Sequence, residues 1–204
     1  MHGSVKISKS IELVTRKVIL VGLTDIMFDR YPGDNNTKLE PHQKLYLQPG
    51  DSQVIGLPSL NIMSFLSAHN TNSAPKRLRD KRKYKDLANA MLSFVSIREQ
   101  FIPFMRDGKV IVLGKFNGTH DGAHDPVSGC YVRHHVARLD KGIPNPKVRP
   151  ILPLEWSLAF TLDFFPNREI KETDILNLME EGGRAIGLGT FRGVYGKFRV
   201  EEWT

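Results

Sequence analysis

GGRAIGLGTFRGVYGKF, residues Gly182 to Phe198, is the stretch whose reading decides the fold. Six glycines (Gly182, Gly183, Gly187, Gly189, Gly193 and Gly196) fall within seventeen residues, mixed with Arg184, Arg192 and Lys197 and with Phe191, Tyr195 and Phe198. Glycine lacks a Cβ and tolerates φ > 0, so a chain of this composition turns tightly and lets its backbone approach a ligand. Successive N–H groups in such a loop form an anion-binding concavity. Arginine adds bidentate contacts to phosphate, and aromatic rings offer a stacking face to bases. The pattern predicts a loop lying against a nucleic-acid backbone. The same residues also suit a helix C-cap followed by a glycine-rich hairpin that needs no ligand.

Working outward, Glu172 to Gly183 reads as a helix. Thr173 is the expected N-cap, Ile175, Leu176 and Met179 form its apolar stripe, and Gly182-Gly183 end it. Before it, Leu154 to Phe164 alternates as a strand; after the loop, Phe198 to Trp203 closes the chain as another. At the other end, a β-branched run predicts a strand near 14–23, and Ser59 caps a helix near 59–69. Leu87 to Phe94 reads as another short helix. Turn formers fill 29–53, with Lys44 to Leu47 as one arm of a short hairpin. A middle strand is expected at Lys109 to Leu113 and a β-arm at Tyr131 to Leu139. The order is β-α-β-β-α-β, a ferredoxin-like or RRM-type plan of the α+β class. It predicts an antiparallel sheet covered on one face by two helices, in one domain over 1–204. Residues 70–147 would be an inserted basic helical and hairpin region outside the core. The open sheet face would be available to a single strand of nucleic acid.

Composition narrows the function. The 204 residues are 40% hydrophobic and 25% charged, ordinary for a globular domain, with a net charge of +7. A basic excess favours an anionic partner, most often nucleic acid. No apolar run is long enough to span a bilayer, and the N-terminus lacks the apolar core of a signal peptide, which reads as a cytoplasmic protein without a membrane partner. Seven of the ten residues from Lys76 to Lys85 are Lys or Arg. Lys76, Arg77, Arg79, Lys81, Arg82 and Lys83 are therefore candidate phosphate contacts, against the alternative of a solvated face. Arg133 and Arg138 on the β-arm, and Arg30 and Tyr31 after the first strand, join them. Asp25 and Asp29 read as turn caps. Cys130 is the single cysteine and reads as a small core residue. His120, His124, His134 and His135 cluster with Asp121 and Asp125, but Gly122 and Asp125-Pro126 oppose a helix that would align them. No P-loop, G-x-S-x-G, H-E-x-x-H or C-x-x-C pair occurs, so no metal, cofactor or catalytic residue is assigned.

This order of elements, ending in GGR and then GLGTFRGVYGKFRVEEW, resembles the RAMP superfamily, RRM-like proteins of CRISPR systems with a glycine-rich loop between last helix and last strand. Gly187 to Phe198 is similar to that loop in position and chemistry. The segments GLTDIMFDRYPGD, IGLPSLNIMSFL and VRPILPLEWSLAFTLDF resemble small phage and prophage relatives of the crRNA-binding backbone subunits, whose thumb and finger elements the basic insertions match. The resemblance implies a non-catalytic protein that binds single-stranded RNA or DNA, assembling as a homo-oligomer or filament along it. Its processing branch implies an alternative, a metal-independent endoribonuclease, for which His42, His69 or His134 are candidate acid–base groups. A third reading is a phage-encoded interaction module acting on a host complex.

Overall fold

The structure, a computed structural model, describes residues 12–34, 36–67, 84–138 and 144–204. The basic run Lys76 to Lys83 and His69 lie outside the described residues, as does the side chain of Arg138.

Two central strands show how the sheet is made. In β10 (Ser157–Phe164) the residues Leu158, Phe160, Leu162 and Phe164 are buried and their neighbours are not. This is the period of two expected of a half-covered strand. β1 (Val14–Gly22) buries Val18 and Leu20 in the same way and pairs antiparallel with β10 from Val14 opposite Phe164 to Val21 opposite Ser157. β11 (Phe198–Trp203) lies on the other side of β1, with a bulge after Ile19. β5 (Val95–Ile97) and β6 (Phe101–Arg106) pair with opposite halves of β10. β6 also pairs with β4 (Asp51–Pro58) and with the short β7 (Lys109–Val110), and β4 pairs with β3 (Leu47–Gln48). The larger sheet thus runs β11-β1-β10-β6-β4-β3, every neighbouring pair antiparallel. Its inner part, β11-β1-β10-β6, is the ferredoxin-like arrangement.

Three helices carry the apolar cover: α1 (Ser59–Ser67), α2 (Tyr84–Phe94) and α3 (Glu172–Ala185). Ile62, Phe65 and Leu66, then Ala90 and Met91, then Ile175, Leu178 and Met179 join the buried cluster with the inward residues of β1 and β10. Each fully buried side chain of this size contributes roughly 1.5–3 kcal/mol. α3 is pinned at its start. Arg16 of β1 gives Glu172 two hydrogen bonds, of 2.6 and 3.0 Å, and the Trp203 indole N–H gives it a third, of 2.7 Å. Thr173 is not the N-cap: the helix starts at Glu172, and the Asp174 carboxylate accepts from the Lys171 N–H at 3.0 Å. Gly183 lies inside α3 because the Phe198 ring needs its space; a Cβ there would come within 2.6 Å of the ring.

Three expectations change. The middle strand is β6, not 109–113, of which only Lys109–Val110 pairs beside it. β4, the strand next to β6, is an addition to the expected plan. Residues 70–147 are not wholly an insertion, since α2, β5 and β6 bring Met91, Val95, Ile102 and Phe104 into the core. Proline lacks the N–H a ladder needs, so Pro58 and Pro103 hide both strands from a pattern search.

Three further strands build a second sheet, β2 (Ile26–Met27), β9 (Pro144–Leu152) and β8 (Tyr131–Arg138), in the order β2-β9-β8. Aromatic edges join it to the first: Phe28 meets Phe104 at 5.8 Å between ring centroids, and Phe104 meets Trp156 at 5.5 Å. Among the described residues no helix is long and apolar enough to cross a membrane.

The loop after α3 docks on β2 through its backbone. Gly196 N–H donates to Asp25 O at 2.7 Å and Thr190 N–H to Met27 O at 2.9 Å, while Leu23 N–H donates to Lys197 O at 2.7 Å. Gly196 has φ +73° and packs its Cα onto the Leu188 carbonyl, leaving no room for a side chain. Replacing Gly196 by Ala therefore forces both a clash and a left-handed alanine. We expect a loss of about 1–3 kcal/mol or more. Gly193→Ala meets no neighbouring atom and should lose about 1 kcal/mol from its φ alone. Thermal unfolding of the two variants measures the difference.

Candidate functional site

The arm formed by β8 and β9 sets its side chains by register. Arg133 stands opposite Arg149, and His135 opposite Lys147. With Tyr131, these residues share one face of the arm, because alternate residues of a strand point the same way. Like charges directly opposite each other across a ladder are destabilising. Arg149 is nevertheless only 7% exposed.

The glycine loop lies against this face. The Phe191 ring sits 5.4 Å below the Arg149 guanidinium and 5.3 Å from the His135 ring. Tyr195 completes the contact: its hydroxyl lies 2.8 Å from His135 Nε2, with ring centroids 5.4 Å apart. Phe191 adopts φ +52°, a left-handed conformation that costs a non-glycine residue about 1–2 kcal/mol. On the outer side the Arg133 guanidinium lies 5.7 Å over the Tyr131 ring.

Two carboxylates hold the assembly. Asp25 accepts from the Tyr131 hydroxyl at 2.7 Å and from Leu154 N–H at 3.0 Å. Burial and this bond push the Tyr131 phenol well above its ordinary range. Asp29 accepts from Arg149 Nη2 at 2.7 Å and lies 3.7 Å from the Lys44 ammonium. Arg149 Nε finds no acceptor among the described residues. Both aspartates thus tie strands together rather than cap a local turn.

Of the residues expected at a binding surface, the structure brings Arg133, Phe191 and Tyr195 together around the arm. Arg192 is half-buried, its Nε donates to Gly189 O at 3.2 Å, and burial lowers its pKa. Gly187 and Gly189 serve internal packing, the first against Gly196 and the second against the Met27 carbonyl, whereas Gly193 faces open space. Lys197 follows the loop, with its N–H bonded to Thr24 Oγ1 at 3.0 Å. Arg184 stays on α3 in an exposed ion pair with Glu180 at 3.3 Å. Arg30 and Tyr31 line a neighbouring groove. The sequence reading missed Lys147 and Arg149, and it named His135 only as a metal candidate. The Tyr131-Arg133-His135 alternation was visible in the sequence; the register that sets Arg149 and Lys147 opposite was not.

The histidine-rich loop is arranged differently. His120, His124 and His134 are exposed, and Asp121 accepts the His134 backbone N–H at 2.8 Å. Asp125 is buried. Burial pushes its pKa up, but hydrogen bonds from Ser128 and from the backbone of Gly114 prevail and hold it below the ordinary carboxylate range. Cys130 is buried beside it, and burial raises its thiol to about 12. Among the described residues no three His, Cys, Asp or Glu side chains converge as metal ligands. His42 is half-buried, edge-on to Phe116 at 6.5 Å.

The face of the larger sheet away from the helices carries Thr15, Lys17 and Ile19 from β1, Ala159, Thr161 and Asp163 from β10, and Phe101, Pro103 and Met105 from β6. Arg98 crosses it to Asp163 at 2.6 Å and to Thr15 Oγ1 at 3.0 Å. Phe191 and Tyr195 lie at the loop and arm, and Phe101 of β6 is a half-buried ring on the open face.

No protein-family model matches the chain, and no curated protein matches it in sequence. Among solved structures it is similar to a chain in the cryo-EM structure of the type III-B Cmr-beta complex bound to cognate target RNA, with a TM-score of 0.54 and 12% identity. The match covers 96% of this chain and 61% of that one, so the present chain spans about six-tenths of its neighbour's length. The likeness is one of fold.

Burial, then the charges of Arg133 and Arg149, lower the His135 pKa, with Asp121 opposing. A histidine with a lowered folded pKa favours folding while neutral. Its contribution is present above the unfolded pKa of about 6.5 and is lost as pH falls through the folded value. Urea unfolding at pH 7.5 and pH 5.5 should show the wild type losing more stability on acidification than His135→Gln.

Proposed function

We propose that the chain binds single-stranded nucleic acid across the cationic face of the β8–β9 arm and the glycine loop beside it. One observation carries this reading: Arg133 and Arg149 face each other, next to His135 and Lys147, with a single carboxylate, Asp29, bonded to Arg149. A fold does not gain by placing like charges in register; a polyanion gives that arrangement a purpose. Phe191, held in a left-handed conformation, and Tyr195 supply rings on which bases stack. Strained residues persist where the surrounding structure over-determines them, and they cluster at functional sites. The likeness of fold to a chain of an RNA-bound complex, and the resemblance of the loop to that of RAMP proteins, support the same reading. Assembly along the strand, and a role for Lys76 to Lys83, belong to this proposal.

Arg133→Ala should weaken binding to a labelled single-stranded oligonucleotide for every sequence tried. It should also flatten the slope of log K against log salt by about one unit, since one phosphate contact releases about one counterion. Fluorescence anisotropy over a salt series reads both effects. An unchanged slope would count against the arm as the interface. Gel filtration with and without a long oligonucleotide reads assembly.

A second reading, metal-independent RNA cleavage, has one observation in its favour. The His135–Tyr195 hydrogen bond beside Arg133 is a proton-transfer pair next to a cation. Labelled RNA incubated with the protein, with and without EDTA, decides it. Cleavage in both conditions that is lost in His135→Gln would support it, and intact RNA in both would remove it.

A further inference from the structure

Asp29 to Pro32 and Thr37 to Pro41, with Asp34, Lys44, Thr119 and Pro146 to Val148, line a groove of about 600 Å³ beside the arm. That size falls in the range of small-molecule sites, roughly 300–1,000 Å³. Arg30, Lys38, Lys44 and Lys147 line it, with Asp29, Asp34 and Glu40 as its acids. Asp34 is committed to its own turn, accepting from Asn36 N–H at 2.7 Å, Thr37 N–H at 2.6 Å and the Thr37 hydroxyl at 2.7 Å. Asp29 is shared: Arg149 takes one oxygen at 2.7 Å, and the Lys44 ammonium stands 3.7 Å from the other. Lys44 instead donates to the Val148 carbonyl at 3.0 Å. Burial lowers the Lys44 pKa, and Arg149 and Lys147 lower it further, against the pull of Asp29. The Lys44 ammonium shares its carboxylate partner, Asp29, with Arg149, and Lys147 also faces the groove. On the same wall Tyr31 is 59% exposed, and Pro32, Pro41 and Pro146 add apolar surface.

We infer that this groove takes one nucleotide unit, its base against the Tyr31 ring and its phosphate between Lys44 and Lys147. Phosphate is a ligand that neighbouring ammonium groups recognise, and an exposed phenol ring next to such a site suits a base. The choice of a nucleotide over another phosphorylated ring rests on the nucleic-acid reading above. Asp29 connects the two places, since the carboxylate that holds Arg149 under the arm also forms the groove wall.

The test uses two probes, a short labelled single-stranded RNA and free adenosine monophosphate, on the wild type, Tyr31→Ala, Lys147→Ala and the arm variant Arg133→Ala. Thermal unfolding checks that each variant folds. Loss of a stacked base on alanine substitution weakens binding about five- to hundredfold. A loss of that size for the RNA in both groove variants supports the proposal with the strand as the source of the nucleotide. Saturable binding of the mononucleotide, lost in Tyr31→Ala and Lys147→Ala while RNA fails to bind, supports the groove and removes the strand reading. RNA binding that Arg133→Ala weakens but both groove variants leave unchanged, with no mononucleotide binding, overturns the groove and leaves the arm interface standing. Absence of binding by both probes overturns both.

Discussion

The backbone contact between the glycine loop and residues 23–27 is the constraint on which the rest of the molecule depends. β2 is two residues long and pairs with β9 through Ile26 and Met27. A ladder that short has little stability of its own. The loop supplies the second set of partners, at Leu23, Asp25 and Met27. Each such bond contributes about 1 kcal/mol net, but leaving the buried groups unpaired would cost more. The loop can approach this closely because Gly189 and Gly196 present only backbone to the carbonyls of Met27 and Leu188. Once the loop is clamped, Phe191 and Tyr195 have nowhere to lie except against the arm.

The arm then concentrates charge in a way the fold itself does not need. Arg149 is buried, stacked on Phe191 and joined to Asp29, while Arg133 stands across from it. Removing one partner of a buried ion pair is strongly destabilising, because it strands a charge. Asp29 is therefore a structural residue as much as an electrostatic one, and it lies between the arm and the groove. The like-charge register and the left-handed Phe191 both oppose local preference, and they lie a few ångströms apart.

The open face of the larger sheet behaves differently. One of its cations, Arg98, is paired with Asp163, while Lys17 is exposed. The ring on this face, Phe101 of β6, is half-buried and packs over Gly56. The added strands β4 and β3 also cover the outer edge of β6. The rings and cations of the arm gather around the loop that follows α3.

Sequence by itself determined the elements whose signals are local. β11 follows directly from its alternation, α3 from its apolar stripe, and β1, α1 and β8 to within about two residues of their ends. The α+β class and the order of the outer elements followed from these, and so did the choice of Phe191, Tyr195 and Arg133 as candidates. Tertiary structure alone decided which strands fill the middle of the sheet, because proline in β4 and β6 removed the local signal while their neighbours still supplied partners on both sides. It alone decided that His135, Lys147 and Arg149 join the site, because register between β8 and β9 is a relation between distant segments. It also decided the use of the glycines: several of them let backbone meet backbone inside the protein, a role that composition cannot separate from contact with a ligand, since both need the same missing Cβ.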